Sequence, residues 1–168
     1  VRFQNHLYLD DSLVTNGMSN FARDGVNANS ALLVGVDTND FGSEHPLAGV
    51  EFQRKLEKAA FRLGGENYFA PVQRVEDFLN SHKSKNIGSV KPTYSPGITP
   101  CNLDDCLPKC ITDSMREGIV LMDRKLKGFS YPDAILTAVE SRSSSPVRIM
   151  RDDSMQSVSV QGLYPCGN

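Results

Sequence analysis

Two amphipathic stretches constrain the fold of this chain more than any other feature of its 168 residues. The first covers residues 46–63 and the second about 108–127, and in each the apolar residues recur at steps of three and four, as on one face of an α-helix. These residues are Phe52, Leu56, Ala59, Ala60 and Leu63, then Ile111, Met115, Ile119, Met122 and Leu126. The opposite face of the first helix is expected to lie in solvent. It carries Glu51, Arg54, Lys55, Glu57 and Lys58.

A shorter helix is predicted after Pro71, because Val72, Val75, Phe78 and Leu79 would share one helical face. The stretch from residue 80 to 100 contains three prolines and two glycines among polar residues. Both residue types interrupt regular structure, so this stretch is predicted to be an extended connector.

Runs of β-forming residues predict strands near the two ends of the chain. They cover residues 31–36, 135–139, 147–150 and 157–160, and Asp152 with Asp153 predicts a turn between the last two. Strands near both termini with about three helices between them predict an α+β fold. We expect a mixed β layer with the helices as an inserted lobe.

The composition excludes several classes of function. Hydrophobic residues make up 39% of the chain and charged residues 23%, which is typical of a soluble globular protein. The net charge of -2 gives no basic surface for nucleic acid. No apolar run approaches the roughly 20 residues of a membrane span, and residues 1–11 do not resemble a signal peptide. The four cysteines are therefore expected to be thiols in a reducing compartment, the cytoplasm.

Five segments are too specific in order and spacing to be explained as scaffold. They are Thr-Asn-Gly-Met-Ser at 15–19, Asn-Ala-Asn-Ser-Ala at 27–31, Pro-Leu-Ala-Gly at 46–49 with Glu-Phe-Gln at 51–53, residues 139–149, and Gly-Leu-Tyr-Pro-Cys-Gly at 162–167. Together they resemble the family of FAD-dependent dehydrogenases, also described as NAD(FAD)-utilising proteins. The resemblance extends from residue 14 to residue 167.

The resemblance implies a flavin-facing loop at residues 139–149. Its candidate contacts are Arg142, Ser144, Ser145 and Arg148. Guanidinium groups suit this task because they stay charged and donate hydrogen bonds in a fork, and reduction of a flavin builds negative charge near its N1–C2 edge. The alternative is that both arginines are solvated or pair with Glu140 and Asp152.

A second candidate segment begins at Asn16 and Gly17, a pair that predicts a turn and, in the simplest interpretation, a hairpin. In the family that the chain resembles, this segment lies near the cofactor or substrate, which makes Asn16, Met18 and Ser19 further candidates. Nearby, Asn27, Asn29 and Ser30 are interpreted as making local capping and turn hydrogen bonds rather than touching a ligand.

The end of the chain resembles the C-terminal FAD motif of flavoproteins that bind two dinucleotides, which implies that Gly167 lies at the cofactor. That motif has an acidic residue where this chain has Asn168. No two of the thirteen glycines are two residues apart, so the chain lacks the G-x-G-x-x-G cradle for a pyrophosphate. Residues 1–13 match no segment of the family, and residues 14–168 are expected to be a capping domain that ends at a truncated FAD motif.

The resemblance thus implies part of an FAD-dependent oxidoreductase, whose other partner is a small-molecule substrate. The chain would cover the flavin and shape the substrate pocket during hydride or electron transfer, and by itself is expected to be inactive. The alternative is a non-enzymatic interaction domain that no longer binds FAD.

A metal site is not expected, because Cys101, Cys106 and Cys110 miss the spacing of zinc ligands. They are interpreted as partly buried thiols at the start of a helix. Cys166 is interpreted as a tightly packed residue of the terminal motif.

Overall fold

The computed structural model describes residues 11–166, in which short strands alternate with helices. The elements in chain order are α1 (Thr38–Phe41), α2 (Ala48–Gly64), β1 (Ala70–Arg74), α3 (Val75–Leu79), β2 (Ile98–Pro100), a 3-10 turn (Leu103–Asp105), α4 (Lys109–Lys125) and β3 (Ile135–Thr137). The strands form one mixed sheet with the order β2-β1-β3. This confirms the α+β class.

Strand β1 is the centre of the sheet. It runs parallel to β2, with Ala70 opposite Ile98, and antiparallel to β3, with Val72 opposite Thr137. The side chain of Gln73 is completely buried in this strand, where its amide donates to the carbonyl of His82 (2.7 Å) and accepts from the amide of Leu103 (2.8 Å). These bonds satisfy the buried amide and fasten the 3-10 turn to the sheet.

The two long helices form where the apolar periodicity places them. Gly65, which has a positive φ of 102°, follows the last residue of α2, in agreement with the role of glycine at helix ends. In α4 the side chains of Ile111, Met115 and Ile119 are buried as predicted. Met122 and Leu126 are exposed instead, because the apolar pattern continues past the part of the helix that packs against the core.

Several predicted strands are wrong. Residues 31–36 form neither strand nor helix. The stretches at 147–150 and 157–160 form no strand either, and a single bridge joins Arg151, just after the first stretch, to Ser157 in the second. The turn at Asp153 between them is confirmed. Val72, assigned to a short helix, lies in β1, and that helix begins only at Val75. A strand needs a hydrogen-bonding partner, and β propensity alone does not provide one.

The chain divides into two compact units. Unit 1 contains the described residues up to Gly35 together with Arg54–Ser141, and unit 2 contains Val36–Gln53 together with the described residues from Arg142 onward. The core of unit 1 includes the fully buried side chains of Phe78, Leu103 and Ile119. The Arg116 guanidinium lies 4.6 Å from the centre of the Phe78 ring and bonds to Asp104 at 2.6 Å.

Candidate functional site

Two of the candidate segments meet in unit 1. The amide of Leu13 donates to the carbonyl of Glu57 in α2 (3.0 Å), and the amide of Thr15 donates to the carbonyl of Val139 (2.8 Å). Leu13, Thr15 and Val139 are all buried. The chain around residue 15 is therefore attached both to α2 and to the stretch that leads from β3 toward Arg142.

Residues 16–19 continue from this attachment into solvent. Asn16, Met18 and Ser19 are exposed, and neither Asn16 nor Gly17 lies in a turn or a strand, so the predicted turn and hairpin are wrong. The side-chain amide of Asn29 donates to the carbonyl of Met18 (3.1 Å). A Cβ on Gly17 would come within 3.0 Å of the Asn29 Oδ1 atom. The absence of a side chain at Gly17 thus allows Asn29 to support the segment.

The two asparagines were expected to make local bonds, but their partners are distant in sequence. Asn29 bonds across 11 residues, and the Asn27 side chain donates to the carbonyl of Lys91, 64 residues away, at 2.7 Å. The interpretation of these residues as structural agrees with both bonds. Both side chains join segments that are far apart in sequence, instead of making capping or turn bonds close to their own positions.

Glu57 is a further residue of unit 1 whose position differs from the prediction. It was assigned to the solvent face of α2, but its side chain is completely buried, and its Oε1 atom accepts a hydrogen bond from the Ser141 hydroxyl at 2.7 Å. The pattern that could have revealed this is Glu57, Ala60, Phe61 and Gly64, which share one side of the helix and are all buried. The burial of a carboxyl group needs a partner, and Ser141 supplies one.

Unit 2 contains the arginine- and serine-rich loop. Arg142, Ser144, Ser145 and Arg148 are all exposed. The Ser145 hydroxyl donates to the carbonyl of Val147 at 2.7 Å and so shapes its own turn. Whether these groups touch a flavin stays a prediction.

Gly49 lets this loop approach the start of α2 closely. A Cβ at Gly49 would lie 2.7 Å from the Cβ of Pro146 and 3.2 Å from the ring of Phe41. Phe41 in turn packs against Phe52 with their ring centres 5.5 Å apart. Two of the segments singled out in the sequence, 46–49 and 139–149, are thus in direct contact within unit 2.

Arg151 holds the terminal motif through a contact that the sequence did not predict. Its Nη1 atom donates to the carbonyl of Pro165 at 2.8 Å and ties the terminal motif to the bridge at Ser157.

Asp152 does not pair with Arg148. Its carboxylate accepts from the side chain and backbone of Ser154, which lowers its pKa below the usual value. Among residues 11–166, Arg148 forms no ion pair.

The predicted site residues divide between the units. Asn16, Met18 and Ser19 belong to unit 1, and Arg142, Ser144, Ser145 and Arg148 belong to unit 2. Gly167 lies outside the described residues. Cys166 is exposed, so its interpretation as a tightly packed residue is wrong.

The remaining cysteines agree with the sequence interpretation, since Cys101 and Cys106 are buried and Cys110 is exposed near the start of α4. Within residues 11–166 no three His, Cys, Asp or Glu side chains are grouped closely enough to hold a metal ion. None of the described helices is long and apolar enough to cross a membrane.

The buried thiols are expected to make the protein less stable in alkaline solution. Burial raises the pKa of both Cys101 and Cys106 to about 12. Because the pKa is higher in the folded state, their stabilisation is complete below about pH 9 and is lost as the pH rises toward 12. At pH 10 the loss amounts to about 1 kcal/mol for each thiol. Urea unfolding under reducing conditions, from about pH 8 to pH 10, measures it.

A variant with Cys101→Ala and Cys106→Ala is the control, because it removes only these two ionisations. It should lose less free energy of unfolding over the same pH range than the parent protein. Equal losses in the two proteins would show that the thiols do not cause the alkaline destabilisation.

The comparisons with known proteins show the family of this chain. The chain belongs to the family described as FAD-dependent protein, C-terminal domain-like, whose model matches residues 8–143. It is thus a flavoprotein-associated domain. A Clostridium beijerinckii protein described as uncharacterized is 50% identical over 155 residues, which cover 92% of this chain. The chain spans only 29% of the length of that relative.

Proposed function

We propose that residues 14–168 are the part of an FAD-dependent oxidoreductase that covers the flavin and shapes the pocket of a small-molecule substrate. The observation that carries this proposal is the family match, which includes Asn16, Met18, Ser19 and Arg142. When bound, the flavin supplies dehydrogenase-like transfer of hydride or electrons. The catalytic activity would belong to a longer protein, of which this chain is one domain.

The chemistry of the arginine- and serine-rich loop fits one part of the cofactor. The polar edge of a flavin ring requires hydrogen-bond donors and positive charge, and the guanidinium groups of Arg142 and Arg148 and the hydroxyl of Ser144 are on the surface. Arg142 or Arg148 would face the N1–C2 region of the flavin ring, where reduction builds negative charge. Asn16, Met18 and Ser19 would line the cofactor or substrate side.

The pyrophosphate of FAD has no cradle of the usual kind in this sequence, because no G-x-G-x-x-G is present. We therefore assign the pyrophosphate contacts to another part of the longer protein. It follows that this chain should bind the flavin ring far better than the ADP half of the cofactor.

A non-enzymatic interaction domain is the second candidate function. The observation that favours it is the exposure of large apolar side chains on the irregular part of unit 1, including Phe21 (106%), Val26 (84%) and Leu33 (57%). If these side chains form one contiguous apolar patch, it would mark a surface that another protein covers.

Titration of the purified chain with FAD, followed by the absorbance and fluorescence of the flavin, separates the two functions. We expect saturable binding. The variants Arg142→Ala and Arg148→Ala test which arginine faces the flavin ring. The variant that lacks this arginine should bind FAD about tenfold or more weakly, because a charge-assisted hydrogen bond is lost. Arg124→Ala, at an exposed position near the end of α4, is the matched control and should bind like the parent.

Titration with riboflavin and with ADP shows which half of the cofactor is recognised. Binding of riboflavin but not of ADP would support the proposed cap. No binding of FAD or riboflavin would contradict the cap as an independent flavin site and favour the interaction domain.

A further inference from the structure

Glu57 is a residue of α2 whose backbone and side chain both bond to the irregular chain of unit 1, next to the candidate segments at 15–19 and 139–149. Its carbonyl accepts from the amide of Leu13 at 3.0 Å. Its Oε1 atom accepts from the hydroxyl of Ser141 at 2.7 Å. Leu13 precedes the segment at 15–19 by two residues, and Ser141 immediately precedes Arg142.

The segments that Glu57 contacts have no regular structure of their own. Residues 13–20 and 138–142 lie in neither helix nor strand, and the bond from the Thr15 amide to the Val139 carbonyl (2.8 Å) joins them directly. A segment without a helical or sheet ladder depends on a few hydrogen bonds for its position. The 17-residue helix α2 provides a rigid support for those bonds.

A carboxyl group in this position requires an explanation, because its side chain is completely buried. Burial of a polar group is unfavourable unless hydrogen bonds compensate for it. A leucine of similar size would fill the same space without that cost. What the carboxyl adds is a directional acceptor that fixes the hydroxyl of Ser141.

We propose that Glu57 is a positioning residue, which holds residues 13–15 and 139–141 in register so that the segment beginning at Asn16 and the chain that follows Ser141 leave the core of unit 1 at fixed points. The side-chain bond to Ser141 controls the second segment, and the backbone bond to Leu13 controls the first. The assignment of these segments to a flavin rests on the proposed function. The positioning itself does not.

Hydrogen exchange of the full chain tests the positioning without any ligand. In Glu57→Leu, the amide of Thr15, which donates to the Val139 carbonyl, should exchange about tenfold faster, the change expected when a buried hydrogen bond is weakened. The Leu13 amide should change less, because its acceptor is a backbone carbonyl that the substitution retains. Glu57→Gln should restore slow exchange, since its amide oxygen can accept from Ser141.

Phe61→Leu is the matched control. Phe61 is buried one turn further along α2 and packs against Tyr68. This substitution should change exchange throughout unit 1 without selecting Thr15. If Glu57→Leu does not fold, Ser141→Ala removes the same bond from the donor side and should give the same local pattern. Unchanged exchange in these variants, or the same pattern in Phe61→Leu, would overturn the proposal.

FAD titration of the same variants connects the positioning to the flavin. If the parent chain binds FAD, Glu57→Leu should bind it about tenfold more weakly and Glu57→Gln nearly as well as the parent. An FAD affinity unchanged in Glu57→Leu would overturn the link to the flavin site. If the parent chain does not bind FAD, the proposed function fails, and the exchange experiment still decides whether Glu57 positions the two segments.

Discussion

Replacing Phe78 by alanine is expected to destabilise the protein by about 3–5 kcal/mol, the usual cost of removing a buried aromatic ring. The Phe78 side chain is completely buried between α3 and the rest of the unit 1 core. The substitution also removes the ring over which the Arg116 guanidinium lies at 4.6 Å. The total stability of a domain is only about 5–15 kcal/mol, so a large part of it would be lost.

Urea unfolding followed by circular dichroism measures this change. Phe21→Ala is the matched control, because the same side chain is removed from a position that is fully exposed. It should alter the free energy of unfolding by less than about 0.5 kcal/mol. Similar losses in both variants would mean that Phe78 is not part of the stabilising core.

Replacing Gly64 by alanine is expected to cost about 2–3 kcal/mol, near the upper end of what overpacking usually costs. A Cβ at Gly64 would overlap the carbonyl oxygen of Phe69, which is a backbone atom and cannot move aside by changing rotamer. The last turn of α2 would have to shift away from β1. That shift would also disturb the hydrogen bond from the Thr99 hydroxyl to the Gly64 carbonyl (2.5 Å).

Gly118→Ala provides the control for helical glycines. Gly118 lies inside α4, and a Cβ there would meet no atom within 4 Å. Alanine should therefore stabilise the helix by up to about 1 kcal/mol. The two thermal unfolding midpoints should thus move in opposite directions. A Gly64→Ala midpoint at or above that of the parent would show that the connection to β1 can relax around the added methyl group.

The long helices could be predicted from sequence because their signal is local. In α2 and α4 the spacing of apolar residues within one stretch predicts the helix. In α4 it also predicts most of the buried face, whereas in α2 only Leu56 and Ala60 of the predicted stripe are buried. Strand β1 could not be separated from the helix that follows it, since five residues are too few for a periodicity to decide. Residues 31–36 illustrate the opposite error, in which strong β propensity finds no strand to pair with.

The residues of the candidate site stay a prediction. The segments at 15–19 and 139–149 resemble FAD-dependent dehydrogenases, and of this resemblance membership in an FAD-dependent protein family is confirmed, over residues 8–143. The burial of Glu57 was not predicted, because a charged residue on an amphipathic helix usually faces solvent. Its burial depends on Ser141, which lies 84 residues further along the chain.

The small sheet also affects how the protein behaves at high concentration. Both outer strands, β2 and β3, are only three residues long, and β2 ends at Pro100, which has no N–H group to offer to another chain. Short edges and edge prolines are features that prevent sheets from recruiting further strands and growing into aggregates. Crowding or concentration should therefore not drive this protein toward amyloid-like association through its sheet.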